Sequence, residues 1–245
     1  MLSLNKGRYI ARFAENSDDI RAAQRLRSLT FGGAPDAPLD EDAFDAVCEH
    51  VLVEDRRSGT LVCCFRILPL AAADDIDRSY SAQYYELSAL KDFDGPMLEI
   101  GRFCVHPDWR DADILRVAWS VVTHYVDDNG VELLFGCSSF HGTDAKQYYD
   151  AFAMLKDGHL APARWLPRVK APKVFQFAKR LRRKPDAKRA MLGMPPLLRT
   201  YLLMGGWVSD HAVVDAQMNT LHVFTGLEIR TIPDARKRLL RAIAG

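Results

Sequence analysis

The chain has 245 residues, 48% of them apolar, with a formal net charge of +1. This suits one large packed domain, or a domain with a substantial extension, and excludes a disordered or fibrous chain. No apolar run approaches a membrane span, the N-terminus lacks a signal peptide's apolar core, and five cysteines form neither a CxxC pair nor a zinc spacing; a reduced, cytoplasmic protein without a metal is expected.

Tyr9–Phe13 reads as a short strand. Ser17-Asp18-Asp19 then caps a helix carrying Ile20, Ala23, Leu26 and Leu29. An acidic helix is expected near Glu41–Glu49. Val51–Glu54 and Leu61–Ile67, separated by Arg56-Arg57-Ser58-Gly59, read as a β-hairpin. Asp74–Asp94 is polar and irregular, and Leu98–Val105 is a strand. The clearest helix is Asp113–Asp127, with Ile114, Val117, Ala118, Val121, Val122 and Tyr125 at helical spacing and Asn129-Gly130 as its stop. Val131–Cys137 reads as a buried strand, Asp144–Leu155 and Pro196–Met204 as helices, Leu221–Leu227 as a late strand and Asp234–Ala244 as a basic terminal helix. The hairpin requires antiparallel pairing, whereas the strand–helix–strand run across Leu98–Phe135 requires a parallel crossover. The expectation is a mixed α/β sheet with helices on its faces.

Charge is unevenly spread. Between Gly33 and Asp55 there are acids at Asp36, Asp40, Glu41, Asp42, Asp45, Glu49, Glu54 and Asp55 and no Lys or Arg. From Arg164 to Arg189 there are eleven Lys or Arg and one acid, Asp186. Such asymmetry points to surfaces for partners of opposite sign, or to solvated faces.

Glu99 is out of place in Met97-Leu98-Glu99-Ile100-Gly101-Arg102-Phe103-Cys104-Val105. A carboxylate within a buried strand is costly unless it is paired or used. Arg102, three residues on, faces the opposite side of an extended strand, so it supplies no local partner. Something else must therefore satisfy Glu99, and an ion pair with Arg66 is one candidate. Arg102 is free to pair with Asp42 or Asp45.

Several ordered segments resemble known families. A mixed sheet whose strand bears an acid, followed by a loop and an amphipathic helix, looks like the GNAT superfamily of N-acyltransferases. Arg25-Leu26-Arg27 with Phe31, Asp42-Ala43-Phe44-Asp45, Arg66-Ile67-Leu68-Pro69 and Glu99-Ile100-Gly101-Arg102-Phe103 resemble, in order and spacing, the acyl-homoserine-lactone synthases. A closer resemblance is to the ornithine–acyl-carrier-protein N-acyltransferases, which make lyso-ornithine lipid. It rests on Leu98–His106, Gly136-Cys137-Ser138-Ser139-Phe140 with Gly142-Thr143-Asp144, His159-Leu160-Ala161-Pro162, and Gly205-Gly206-Trp207-Val208. It covers most of the chain, including the final third, and a glutamine-using relative would look similar.

The resemblance implies a GNAT-like α/β fold, with a mixed, mostly antiparallel sheet flanked by helices. An acyltransferase core at 1–160 would be followed by a basic helical extension and closing elements at 161–245. It implies transfer of a (3-hydroxy)acyl chain from acyl carrier protein to the α-amine of ornithine or glutamine. Glu99 and Arg102 are the catalytic candidates. Arg25, Asp42, Asp45, Arg66 and Ser139 would serve the amino acid, the acids as counter-charge to its cation and an arginine (Arg25, Arg27 or Arg66) as a fork for its carboxylate. Phe103, Val105 and Arg110 would serve the donor.

Enzymes of this superfamily that use coenzyme A carry a glycine-rich loop whose amides cradle a pyrophosphate. Here the loop is Arg110-Asp111-Ala112-Asp113-Ile114-Leu115. Arg110 fits, but Asp113 and Leu115 replace the glycines, which favours a carrier protein with a single phosphate on its pantetheine arm. No bound cofactor is expected. Three rivals overlap: an H-x4-D dyad of glycerolipid O-acyltransferases at His106 and Asp111, a cysteine nucleophile at Cys104 or Cys137, and a non-enzymatic basic module. As a non-enzymatic module the basic region, with Trp165, Phe175 and Phe177, would bind nucleic acid or an anionic membrane face; in the enzyme it would meet carrier protein or membrane, with no nucleic-acid partner.

Overall fold

The computed structural model describes residues 3–32 and 37–244. In chain order the elements are β1 (Ser3–Lys6), β2 (Tyr9–Phe13), α1 (Ser17–Arg27), β3 (Glu49–Asp55), β4 (Leu61–Leu70), β5 (Tyr85–Glu86), β6 (Met97–Val105) and α2 (Ala112–Asn129). They continue with β7 (Leu133–His141), α3 (Tyr149–Gly158), β8 (Arg168–Val169), β9 (Val174–Phe175), α4 (Phe177–Arg180), α5 (Ala187–Gly193) and α6 (Pro196–Leu203). The last are β10 (Trp207–Val208), β11 (Ala212–Asp215), β12 (Thr220–Glu228) and α7 (Asp234–Ala244). The described residues divide into two compact units, one holding 3–69, 100–131 and 234–244, the other 70–99 and 132–233.

In the first unit β1, β2, β3 and β4 pair antiparallel in sequence order. The later residues of β6 lie beside β4, where His106 N–H donates to the Val62 carbonyl at 2.8 Å. Helix α1 packs Ala23 and Leu26, three residues apart on one face, onto Leu52, Cys64 and Cys104. Its cap is Asn16 rather than Ser17: the Asn16 side chain accepts from the Asp18 and Asp19 amides. The longest helix, α2, buries the face predicted from its spacing, is capped by Asp111 and stops at Gly130 with φ +60°. The acidic helix expected near 41–49 is instead one 3-10 turn at Ala43–Ala46, and Glu49 already begins β3. The physical reason is that the Asp42 and Asp45 carboxylates turn back onto buried arginines, while the β-branched Val51 and Val53 extend the strand. Asp36 of the acidic stretch lies outside the described residues.

In the second unit Met97–Glu99 of β6 pair in parallel with Leu133–Phe135 of β7, as the strand–helix–strand reading requires. β7 pairs antiparallel with β12 over nine residues, β12 with β11 and with β10, and β11 with β9. Residues 161–233 are thus built into the same unit as 132–160, because β12 closes against the whole of β7. The helix expected at 144–155 opens as a 3-10 turn capped by Asp144 before α3 begins at Tyr149. Phe140, Phe152, Phe177, Leu198, Leu221 and Val223 belong to one apolar core cluster of this unit. Gly226 is required here: a Cβ would meet the Trp207 ring at 2.4 Å. The architecture is a mainly antiparallel sheet flanked by helices, as expected for a GNAT-like α/β fold.

Candidate active site

Glu99 is 4% exposed. Tyr80 N–H donates to its Oε2 at 2.8 Å, and Ser81 N–H and Oγ donate to its Oε1 at 2.8 and 2.6 Å. The donors sit where two 3-10 turns, Ala73–Arg78 and Ser81–Gln83, meet. Ser79 fixes that junction by bridging the Ile76 carbonyl and the Ala82 amide. A carboxylate gripped by two amides and a hydroxyl has a fixed orientation, and these bonds offset its desolvation.

Register places Glu99 opposite Phe135, so Glu99, Phe135, Cys137 and Ser139 share one sheet face. Along it Phe135 is buried, Cys137 half-buried and Ser139 exposed. Ser81 Oγ lies 3.5 Å from Cys137 Sγ, so one hydroxyl touches both Glu99 and the middle of this lane. His222 and Phe224 of β12 extend the face opposite Ser139 and Cys137. The Tyr85 hydroxyl donates to the His222 carbonyl at 2.7 Å, and the Tyr84 ring stands edge-on to the imidazole. Burial pushes the His222 pKa down to about 4, which keeps it neutral at physiological pH.

The first unit holds a different arrangement. Arg27, fully buried, donates to Asp45 Oδ1 and Oδ2 at 2.7 and 3.0 Å and to the Asp40 carbonyl. Arg66, 3% exposed, reaches Asp42 and Asp45. Arg102 pairs with Asp42 at 3.1 Å, as expected, and also with Asp40 at 3.2 Å. Gln24 adds a bond to Asp45. Three guanidinium groups meet three carboxylates. Burial pushes the Asp42 and Asp45 carboxyls up, but the Arg66 contact with Asp42 and the Arg27 and Gln24 bonds to Asp45 outweigh it, leaving both below the usual carboxylate range. The acids expected to balance an amino acid's cation are therefore already balanced by arginines. Arg66, the rival partner for Glu99, is engaged by Asp42 and Asp45. Arg25 lies on the exposed side of α1, and Arg27, the alternative fork, is the one inside.

Arg102 has φ +51°, a left-handed conformation inside a strand that an unbranched non-glycine residue adopts at a cost of about 1–3 kcal/mol. Its two carboxylate partners hold it there. The kink leaves Gly101, Arg102 and Phe103 all half-buried. Phe103 stacks on Phe65 with centroids 5.0 Å apart, Val105 is half-buried, and Cys104 between them is sealed into the α1 core. That burial argues against Cys104 as a nucleophile.

At the start of α2, Asp111 Oδ1 accepts the Asp113 amide at 2.9 Å and Oδ2 accepts the Tyr9 hydroxyl at 2.7 Å. Burial and this bond push the Tyr9 phenol up to about 12. The Arg8 guanidinium lies 4.6 Å over the Trp109 ring and is anchored by Asp55. Arg8, Tyr9, Trp109, exposed Arg110 and Asp111 line an open cavity of about 580 Å³. The H-x4-D pair is not assembled: His106 Nδ1 meets the Asp108 amide, and both Asp111 oxygens are taken. No group of three or more metal-ligating side chains occurs among the described residues.

Reasoning from the sequence missed Ser81, Tyr80 and Arg8, and placed Asp40 only within the acidic stretch. Only the polar Ser79-Tyr80-Ser81 run in an otherwise irregular segment marked the first two.

Comparison with known proteins gives the chain its family. Residues 27–120 match the family model described as an acetyltransferase (GNAT) domain. The L-ornithine N(alpha)-acyltransferase of Rhodobacter capsulatus is 33% identical over 94% of this chain and 93% of its own length. The enzyme of the same name from Brucella abortus is 30% identical over 90% of this chain and 84% of its own. The fold resembles that of FeeM, an N-acyl amino acid synthase from uncultured soil microbes, with a TM-score of 0.50 at 12% identity over 91% of this chain and 92% of that one. The chain is thus an acyltransferase of the GNAT fold and belongs to the L-ornithine N(alpha)-acyltransferase family.

Proposed function

We propose that this enzyme transfers a (3-hydroxy)acyl chain from acyl carrier protein to the α-amine of L-ornithine, the first step of aminolipid synthesis. The observation that carries the acceptor is the relationship to enzymes of that name along nearly the whole chain. Glutamine is the alternative acceptor, since the carboxylates that would single out a side-chain cation, Asp42 and Asp45, are engaged by arginines.

Glu99 is the general base. The attacking amine must be neutral, and an α-ammonium group loses its proton at a pH of about 8. As nitrogen bonds to the thioester carbonyl carbon, its proton passes to Glu99, directly or through one water; the C–S bond then breaks and the thiolate leaves to be protonated. Ser81 and Tyr80 hold the carboxylate in register for this transfer, and Cys137 and Ser139 line the acceptor's approach along the same sheet face. Arg102 is a positioning residue: its ion pairs stabilise the strained turn of β6 beside Phe103 and Val105, which receive the acyl-pantetheine arm.

The donor assignment rests on the α2 N-terminus. The Asp111 carboxylate occupies the Asp113 amide and places negative charge where a pyrophosphate would need bare amides. Arg110, with Arg8 behind it on Trp109, suits one phosphate rather than two. The test is acyl transfer by the purified protein with each donor and each amino acid, followed by mass spectrometry of the product. N-acylornithine formed preferentially from the carrier donor is expected. Equal catalytic efficiency with acyl-coenzyme A would overturn the donor assignment, and preferential acylation of glutamine the acceptor assignment.

A further inference from the structure

Helices α5 and α6 of the second unit each turn one face inward and leave an unusual face outside. In α5, Ala190 is fully buried, and Met194 just beyond its end is 2% exposed. Outside, Leu192 is 77% and Met191 41% exposed. Lys188 precedes them by four and three residues, and Arg189 precedes Leu192 by three, so on a helical surface these cations flank the apolar side chains. In α6, Leu198 and Tyr201 are buried while Leu203 is 58% exposed, four residues after Arg199. Two successive helices thus repeat one device, a long cation beside a protruding aliphatic side chain. The stretch 177–204 also carries Lys179, Arg180, Arg182, Arg183 and Lys184, and its only acid is Asp186. Arg183 is anchored on Asp150, which fixes part of this basic surface.

We propose that the α5–α6 face docks on an anionic lipid bilayer, with Met191, Leu192 and Leu203 entering the acyl-chain boundary and Lys188, Arg189 and Arg199 meeting the headgroups. Isolated surface leucines are ordinary; three protruding aliphatics, each neighboured by cations on a strongly basic surface, are the combination that interfacial binding needs. Either part alone binds weakly: apolar insertion fixes depth, and cations add attraction to anionic lipid that salt screens. Long arginine and lysine stems can lie along the apolar layer with their charges at headgroup level. A bilayer accepts separate protruding side chains without a matching pocket, which favours it over an acidic protein partner. The metabolic sense of the surface rests on the reaction proposed above, whose product is an amphiphile that belongs in a membrane; the binding itself does not.

The test is sedimentation of the full-length protein with vesicles of neutral lipid alone, or of neutral lipid with about one-third anionic lipid. Wild-type protein should bind only the anionic vesicles, and raising salt from about 0.1 to about 0.5 M should weaken binding several-fold. Leu192→Ser with Leu203→Ser should lower partitioning about tenfold, and Lys188→Glu with Arg189→Glu at least as much. Both pairs are on the surface, and an unchanged thermal midpoint would show that the fold is kept. Failure of wild-type protein to bind anionic vesicles, or full binding by the leucine variant, would overturn the proposal. So would a leucine variant that binds vesicles normally but has lost affinity for acyl carrier protein, since the face would then be a carrier dock. Because no substrate is present, the vesicle result is independent of which acyl donor or amino acid the enzyme uses.

Discussion

Asp45 in the first unit and Glu99 in the second are both carboxylates drawn into the protein, and their oxygens are satisfied in different ways. Asp45 lies against two guanidinium groups and an amide side chain, within a cluster whose charges balance as three arginines and three aspartates. Glu99 is gripped by two backbone amides and a serine hydroxyl at the junction of two tight turns. The first arrangement is suited to holding chain segments together, because a balanced cluster loses a great deal when one member goes. The second fixes a carboxylate's direction with dipoles and leaves its proton chemistry to be used. The two settings match the two roles proposed, framework for Asp45 and base for Glu99, and the contrast can be tested from both sides.

The largest effect on stability should come from the framework. Asp45→Asn takes from buried Arg27 its closer carboxylate, leaving only Asp40 at 3.4 Å, and takes one of two carboxylates from Arg66; breaking a buried pair costs about 3–5 kcal/mol. Urea denaturation at pH 7 should show a loss of that order. A loss below about 1 kcal/mol would mean that the cluster behaves like a surface ion pair.

Acid should separate the buried histidines from the paired carboxylates by pH window. The His222 pKa is about 4 when folded, below the usual histidine value, so stability contributed by its neutral form is present above about pH 6.5 and is lost as pH falls toward 4. Across that window the wild-type stability should fall by up to about 1.4 kcal/mol per pH unit for this one proton. Burial lowers His50 in the first unit in the same direction. Asp42 and Asp45, lowered by their arginines against the opposing pull of burial, lose their contribution only as pH falls below about 4. Denaturation from pH 7 to 3 should therefore show His222→Gln flattening the upper limb and Asp45→Asn the lower one. An unchanged upper limb in His222→Gln would assign it elsewhere.

Ser81→Ala should lower kcat about tenfold, because the base loses one of its orienting bonds. Removing a donor from the charged carboxylate should also move the acid limb of the kcat–pH profile upward, which a purely structural serine would not do. A change confined to thermal stability would make Ser81 a turn residue only. Arg110→Ala should have the smallest effect, a several-fold rise in KM for the carrier donor with kcat nearly unchanged, as for a contact made equally in ground and transition states. A fall in kcat with KM constant would place Arg110 at the reacting centre.

Much of this fold was legible before the structure. The α2 spacing, the β3–β4 hairpin, the parallel β6–β7 pair and the late β12 strand all follow from periodicity and turn residues, because each is a local pattern with one buried face. The two-residue strands β5, β8, β9 and β10 were not legible, since pairings that short are set by tertiary contacts. Glu99 stood out because a charge interrupted a strand, and a pairing of Arg102 with Asp42 or Asp45 was expected, but not the left-handed kink at Arg102 that breaks the strand alternation. Ser81 could not be found that way: it reaches Glu99 across 18 residues of irregular chain that carry no period. The acidic stretch misled for a related reason. Its composition reads as open counter-charge, and only the folded chain brings Arg27 and Arg66 onto it.

The most direct measurement is the single-turnover rate of acyl transfer to ornithine, with saturating acyl carrier donor, in Glu99→Gln and Asp45→Asn at a temperature where both remain folded. Glu99→Gln keeps the shape and removes the base, and its rate should fall about 10²–10⁴-fold with an unchanged unfolding midpoint. Asp45→Asn should show the reverse, a lowered midpoint and a rate within about tenfold of wild type. A Glu99→Gln enzyme that turns over at close to the wild-type rate would contradict the account.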